Sequence, residues 1–107
     1  MADISNNTEV RNHAADFLVN KITAQRCGYE NFYVETLIKL GDSRIILCLE
    51  ILLKSIIPGR RAYAVRTLGR IGGEKAIELL KAAIDDKNYD VSEEAKKQYS
   101  KLAGETQ

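Results

Sequence analysis

The middle of the chain repeats itself. When it is shifted by 31 residues, the distance from residue 33 to residue 64, the segment YVETLIKLG (33–41) aligns with AVRTLGRIG (64–72) without a gap. Apolar matches between helices arise by chance, but Gly41 also meets Gly72, so the helix breaks share the register. Further matches on this offset are Val34/Val65, Thr36/Thr67, Leu37/Leu68, Ile46/Ile77, Leu49/Leu80 and Leu53/Ile84. The pattern predicts a helical hairpin that buries its apolar faces by stacking on its neighbours.

The spacing of apolar residues favours helices over strands. They recur at three and four positions, and no run alternates with period two. Glycine, proline and polar clusters divide the chain into about six predicted helices. These lie at 8–28 with Thr8 as N-cap, 33–41, 44–57 with Asp42 or Ser43 as cap, 61–71 after a Pro58–Gly59 turn, 74–85, and 92–103 beginning at Ser92. We therefore predict one all-α domain over 1–107, a short right-handed α-solenoid, with 1–6 and 104–107 frayed.

The third predicted helix is apolar around most of its girth. The segment RIILCLEILLKSII (44–57) contains only four polar residues, which are Arg44, Glu50, Lys54 and Ser55. A surface helix usually shows a single apolar stripe. In a stack of hairpins a central helix has neighbours on both sides, and we expect this placement for residues 44–57.

Composition and charge exclude several classes of protein. Sixteen basic and fifteen acidic residues give a net charge of +1, which argues against a polybasic tail. The apolar segment 44–57 is too short to span a bilayer, and the N-terminus lacks the pattern of a signal peptide. We therefore expect a cytoplasmic protein without a membrane partner. Cys27 and Cys48 have no paired spacing and are predicted to be free thiols, with no disulfide and no metal site.

The segment AYAVRTLGRIGGEKAIELLKAAID (62–85) resembles the HEAT-like repeats of the phycobilisome (PBS) lyase type. The segment YDVSEEAKKQYSKLAG (89–104) resembles the start of another such repeat, with Asp90-Val91 at its entry. The family often places an arginine after this valine that ties adjacent repeats together. Arg61 occupies that position in one repeat, but Ser92 occupies it in the next. The resemblance implies a HEAT-like solenoid and a family that includes bilin attachment proteins and scaffolds.

The repeat register identifies one candidate surface for binding a partner protein. In many solenoids the second helix of each hairpin lines the concave surface. Leu47 and Ile51 occupy positions where the next repeat has Glu78 and Ala82, so an exposed apolar patch is one interpretation. The other interpretation is that the first helix or the N-terminal segment covers them. The candidate partner-binding residues are Leu47, Glu50, Ile51, Lys54, Glu78 and Lys81.

The first helices of the hairpins carry a row of cations. Equivalent positions hold Lys39, Arg70 and Lys101, and beside them lie Arg66 and Lys97. Such a row can contact a phosphate backbone. Because the net charge is only +1, we favour a solvated convex face, and nucleic acid is an unlikely partner.

No arrangement of residues predicts catalysis. The single histidine, His13, lies beside Asn12 and Asp16 and is expected on the surface, and no phosphate-binding loop is present. We predict no catalytic residues, no cofactor and no metal. The favoured function is a non-enzymatic adaptor or scaffold that binds another protein, with self-association through an end repeat as a further option. A bilin-lyase-like accessory protein is the alternative, and nucleic-acid binding is the third.

Overall fold

The computed structural model describes residues 8–25 and 30–105. They form six helices: α1 (Thr8–Ala24), α2 (Glu30–Leu40), α3 (Ile45–Leu52), α4 (Pro58–Ile71), α5 (Glu74–Ala83) and α6 (Tyr89–Glu105). These ranges contain no strand, which confirms the predicted all-α class with six helices. Within them, no helix is both long and apolar enough to cross a membrane. The predicted helix end at Gly28 and the predicted fraying of 1–6 lie outside the described residues.

The chain forms two compact units, Met1–Cys48 and Leu49–Gln107, and the boundary falls within α3. In the first unit α1 packs against α2. In the second, α4 packs against α5 and α6, and α5 packs against α6. The right-handed stacking and the single domain over 1–107 stay predictions.

Local geometry confirms the repeat register. Gly41 and Gly72 end α2 and α4 with φ values of +70° and +74°, in the left-handed region that favours glycine. Thr36 and Thr67, one on each helix, donate from Oγ1 to the carbonyl oxygen four residues earlier, at 3.0 Å and 2.8 Å. The two matched glycines therefore have a similar φ, and the two matched threonines make the same hydrogen bond.

The buried residues follow the same register. Three matched pairs are fully buried: Val34/Val65, Leu37/Leu68 and Leu49/Leu80. Their burial removes these apolar side chains from water, which stabilises the folded chain. In the second unit, Ala64 of α4 and Ala95 of α6 are also fully buried, and small residues allow these two helices to approach closely.

Helix α3 is shorter than predicted. It ends at Leu52 instead of continuing to residue 57, and a turn follows in which the Ser55 amide donates to the Leu52 carbonyl at 3.0 Å. Ile57 has extended backbone (φ −93°, ψ 112°) because the ring of Pro58 disfavours helical conformation in the preceding residue. The proline therefore sets an upper limit on the length of this helix.

The predicted Pro58–Gly59 turn is wrong, because these residues form the start of α4. Proline suits the first helical position, where its missing N–H has no intrahelical acceptor. Helix α6 likewise starts at Tyr89, earlier than predicted, and the Asn88 side chain accepts from the Val91 amide at 3.1 Å. Ser92, the predicted start, lies in the first turn of α6, and its hydroxyl donates to the Ile84 carbonyl at 2.6 Å.

The remaining boundaries differ by a few residues. Helix α5 ends at Ala83 instead of at residue 85, and α6 continues to Glu105 instead of ending at 103. Helix α1 ends at Ala24 and is followed by Gln25 with a φ of 53°. Such shifts are common at helix ends, where intrahelical hydrogen bonds run out.

Candidate protein-binding site

The apolar residues of α3 divide into a buried face and a more accessible one. Ile45, Cys48, Leu49 and Leu52 recur at helical spacing and are buried. Leu47, from the predicted patch, is 51% exposed and belongs to the first unit. Ile51 is half-buried. The structure thus leaves Leu47 accessible to a partner.

Helix α5 carries two of the predicted partner-binding residues, Glu78 and Lys81. Ala76 and Leu80 are buried, whereas Glu78 and Lys81 are exposed. Lys75 lies between two acids: its Nζ is 3.9 Å from Glu50 Oε2 and 3.8 Å from Glu78 Oε2. Because these groups are well hydrated, the two contacts contribute little to stability, but they bring Glu50 and Glu78 to the same side of the unit.

A groove of about 270 Å³ lies between the end of α3, with the turn that follows it, and the last turns of α5. Its apolar lining comes from Leu53, Leu79, Ala82 and Ala83, and its charged lining from Glu50, Lys54, Asp85 and Asp86. Two of the six predicted partner-binding residues, Glu50 and Lys54, therefore line the groove. Ile51, Glu78, Lys81 and Leu47 are not among its lining residues.

A buried ion pair fixes one wall of this groove. Arg61 donates from Nε to Asp86 Oδ2 at 2.8 Å and from Nη2 to Asp86 Oδ1 at 3.1 Å. Its Nη1 also donates to the Ser55 carbonyl at 2.7 Å. The hydrogen bonds from Arg61 hold the pKa of Asp86 below its ordinary value, and the Asn88 amide donates to the same carboxylate at 2.8 Å. These hydrogen bonds therefore hold the loop after α5 in place without a bound partner.

Sequence reasoning missed the apolar lining of the groove. It placed Ala82 only as the counterpart of Ile51, and it gave Leu79 no role. One available signal was the pair of small residues Ala82–Ala83 at the end of α5, which leaves room beside larger neighbours. The repeat pattern gives Leu79 the same position as Cys48, which is fully buried. It therefore could not show that Leu79 is only half-buried.

The predicted basic row is exposed but partly paired. Arg66 and Arg70 on α4 and Lys97 and Lys101 on α6 are all exposed, and Lys39 is exposed in the first unit. Arg66 Nη1 lies 3.7 Å from Glu94 Oε1, so this cation has an acidic neighbour on α6. The carboxylate lowers the positive potential that a phosphate backbone would meet at this point of the row.

The side chains with catalytic potential are poorly placed for chemistry. Cys48 is a free, buried thiol, and burial raises its pKa to about 11, which leaves little thiolate near neutral pH. His13 is exposed, as predicted, and Cys27 lies outside the described residues. Over 8–25 and 30–105, no three His, Cys, Asp or Glu side chains gather as metal ligands.

Comparison with known proteins supports only the predicted repeat. No curated protein and no protein of solved structure matches the chain. The family model described as the PBS lyase HEAT-like repeat matches residues 60–86. The matched segment contains α4, α5 and the Arg61–Asp86 pair, and its match confirms the resemblance seen in the sequence. Residues 60–86 are therefore similar to a PBS lyase HEAT-like repeat.

Proposed function

We propose that the chain is a non-enzymatic adaptor that binds another protein through the groove between α3 and α5. The observation that carries the proposal is a groove whose lining combines apolar side chains, Leu53, Leu79, Ala82 and Ala83, with charged ones. Protein interfaces share this anatomy, in which a desolvated apolar centre is surrounded by polar groups. The location in the cytoplasm stays a prediction.

The size of the groove favours a side chain of a partner over a large cofactor. Its volume of about 270 Å³ lies just below the range of roughly 300–1,000 Å³ that is typical of small-molecule sites. One or two apolar side chains on a partner helix or extended segment would fill it. Anchor residues in such pockets supply most of the affinity at protein interfaces.

The rigidity of the surroundings also supports binding. The Arg61–Asp86 pair holds the loop that forms one wall, and Asp86 itself lines the groove. A preformed site loses less conformational entropy when the partner docks. The groove therefore needs no rearrangement of its backbone before it accepts a side chain.

A bilin-lyase-like accessory role is the second candidate, and the description of the matching repeat family is the observation that favours it. The buried Cys48 thiol does not support bilin attachment to this chain, because its raised pKa makes it a weak nucleophile. Mixing the protein with a free bilin tests this candidate. A change in the visible absorption spectrum would favour it over the adaptor.

Site-specific photo-crosslinking tests the proposed groove directly. A photoreactive residue replaces Ala82 in the groove, and in a matched control it replaces Ser100, an exposed small residue on α6. After irradiation in an extract of the native host, we expect a discrete adduct from position 82 that position 100 does not form. Equal adducts from both positions, or none from position 82, would contradict the proposal.

The predicted contribution of Leu47 needs its own test. Leu47→Asp places a charge on an exposed position of α3 and should leave the fold intact. Combined with the photoreactive residue at position 82, it should reduce the adduct if the partner also covers Leu47. An unchanged adduct would remove Leu47 from the binding surface and leave the groove in place.

A further inference from the structure

Two of the four charged residues that line the α3–α5 groove have partners within the chain. Asp86 accepts two hydrogen bonds from the Arg61 guanidinium, at 2.8 Å and 3.1 Å. Glu50 Oε2 lies 3.9 Å from Lys75 Nζ. Because a cation lies beside each of these carboxylates, they add little net charge to the groove that a partner would meet.

The other two charged lining residues, Lys54 and Asp85, are both exposed. Within the part of the chain that the structure describes, neither of them forms an ion pair. They lie on opposite sides of the groove, because Lys54 belongs to the turn after α3 and Asp85 to the turn after α5. The groove therefore presents a positive charge on one side and a negative charge on the other.

The position of Asp85 just after α5 makes a cation especially favourable there. The C-terminal end of a helix carries a partial negative charge, so an acid at this end is unfavourable and a base is favourable. Lys81, in the last turn of α5, forms no ion pair with Asp85 in the described part of the chain. A cation supplied by a partner would interact with both the Asp85 carboxylate and the helix terminus.

The space between these two charges is apolar. Leu53 lines the groove from the α3 side, and Leu79, Ala82 and Ala83 line it from α5. The two alanines leave room for a side chain from outside, and Ala82 is exposed, so the groove is open to solvent. An apolar side chain of a partner can therefore enter between Lys54 and Asp85.

We propose that the groove accepts a protein segment in which an apolar side chain lies between a basic residue, which pairs with Asp85, and an acidic residue, which pairs with Lys54. This inference rests on the proposed adaptor function and specifies its partner. The unlike charges also set the direction of the bound segment, because the reversed direction would place like charges together. Nucleic acid and anionic lipid carry only negative charge and would satisfy Lys54 alone.

Selection from a phage-displayed library of random peptides tests the predicted pattern. The full wild-type chain is the target, and peptides that also bind Ala82→Arg are removed, so that every retained peptide needs an open groove. We expect the retained peptides to share an apolar residue with a base on one side and an acid on the other.

Charge reversal then assigns each charge of a retained peptide to its partner in the groove. Fluorescence anisotropy of the labelled peptide should show that Asp85→Lys weakens binding about three- to tenfold. Replacing the base of the peptide with Glu should restore most of this loss. Lys54→Glu should behave in the same way towards a peptide whose acid is replaced with Lys. Glu9→Lys, the same charge change on α1, is the matched control and should leave the affinity unchanged.

Two outcomes would overturn the inference, and they differ in what they leave standing. Retained peptides that lack the charge pattern, or whose affinity does not respond to Asp85→Lys and Lys54→Glu, would refute the charge assignment but leave the groove as a binding site. A selection in which no peptide distinguishes the wild type from Ala82→Arg would count against the groove itself, and the inference would fail with it.

Discussion

In each compact unit an arginine contacts two other residues through oxygen acceptors, and these two arginines differ mainly in burial. In the first unit Arg44 contacts Asp42 (Nε–Oδ1 2.9 Å) and Asp16 (Nη1–Oδ1 2.7 Å), with 37% of its side chain exposed. In the second unit Arg61 contacts Asp86 and the Ser55 carbonyl, with 9% of its side chain exposed. The same type of arginine ion pair is therefore partly exposed to water in the first unit and almost fully buried in the second.

The difference shows which ion pair can position a binding site. Water and salt screen an exposed pair, so it contributes little and breaks easily. A buried pair costs desolvation to form, but removing one partner leaves an uncompensated charge, so its geometry is strongly enforced. The groove wall built on Asp86 should therefore be rigid, whereas Arg44 should only tighten the start of α3, where the Asp42 carboxylate accepts from the Arg44 amide.

The largest expected effect is the loss of Arg61. Arg61→Met should lower the free energy of unfolding by about 3 kcal/mol, because Asp86 and the Ser55 carbonyl lose their donors in a poorly hydrated site. Urea unfolding followed by circular dichroism measures this change. Arg61→Met/Asp86→Leu should recover much of the loss, since no charge remains buried. If Arg61→Met lowers the free energy of unfolding by less than about 1 kcal/mol, the Arg61–Asp86 pair contributes no more than an exposed ion pair.

A substitution at Gly69, where α4 contacts α6, should change the free energy of unfolding by an intermediate amount. The sign of this change depends on the residue at position 98. A methyl group added at Gly69 would clash with Gln98 Oε1, an atom that is buried without a hydrogen-bond partner. Gly69→Ala should therefore destabilise the protein by less than about 1 kcal/mol, because the far end of the flexible Gln98 side chain can move aside. In a Gln98→Ala background the same change should stabilise, because alanine has the higher helix propensity. Equal effects in both backgrounds would contradict the close packing.

Acid should weaken the second unit through Asp86. The pKa of this carboxyl is held below its ordinary value of 3.8 by Arg61, so its contribution to stability is present above pH 3.8. The contribution disappears as the pH falls through the lower pKa of the folded state. Urea unfolding at a series of pH values should show a steeper acid loss for the wild type than for Asp86→Asn. Parallel curves for the two proteins would exclude Asp86 as a source of the pH dependence.

The smallest effect is expected for Arg44. Arg44→Met should cost less than about 1 kcal/mol, because the Asp16 side chain is 59% exposed and the Asp42 carboxylate keeps its hydrogen bond from the backbone amide of residue 44. Added salt should reduce the cost further, whereas it should change the Arg61→Met effect little. If Arg44→Met proves as damaging as Arg61→Met under the same conditions, burial does not explain the difference between the two sites.

The sequence predicted the parts of the fold that depend on local patterning. The offset that matches Gly41 to Gly72 predicted both helix ends, because a left-handed C-terminal residue is a local requirement. The end of α3 was missed because the apolar run continues to Ile57, although Pro58 already restricts that residue.

The candidate sites were less predictable because they depend on which of two apolar faces is covered. In α3, Leu47 and Cys48 are neighbours in the sequence, yet one is exposed and the other buried. Periodicity identifies both faces but does not say which one packs inside the protein. The groove depends in the same way on Leu79 being left half-buried where its counterpart is enclosed.

The binding affinity of the partner captured at position 82 tests the account most directly. Isothermal titration calorimetry compares the wild type with Ala82→Arg, which fills the groove from an exposed position, and with Ser100→Arg, which adds the same side chain on α6. We predict that Ala82→Arg weakens binding by about tenfold or more and that Ser100→Arg leaves it unchanged. Full affinity in Ala82→Arg would show that the partner does not occupy the groove between α3 and α5.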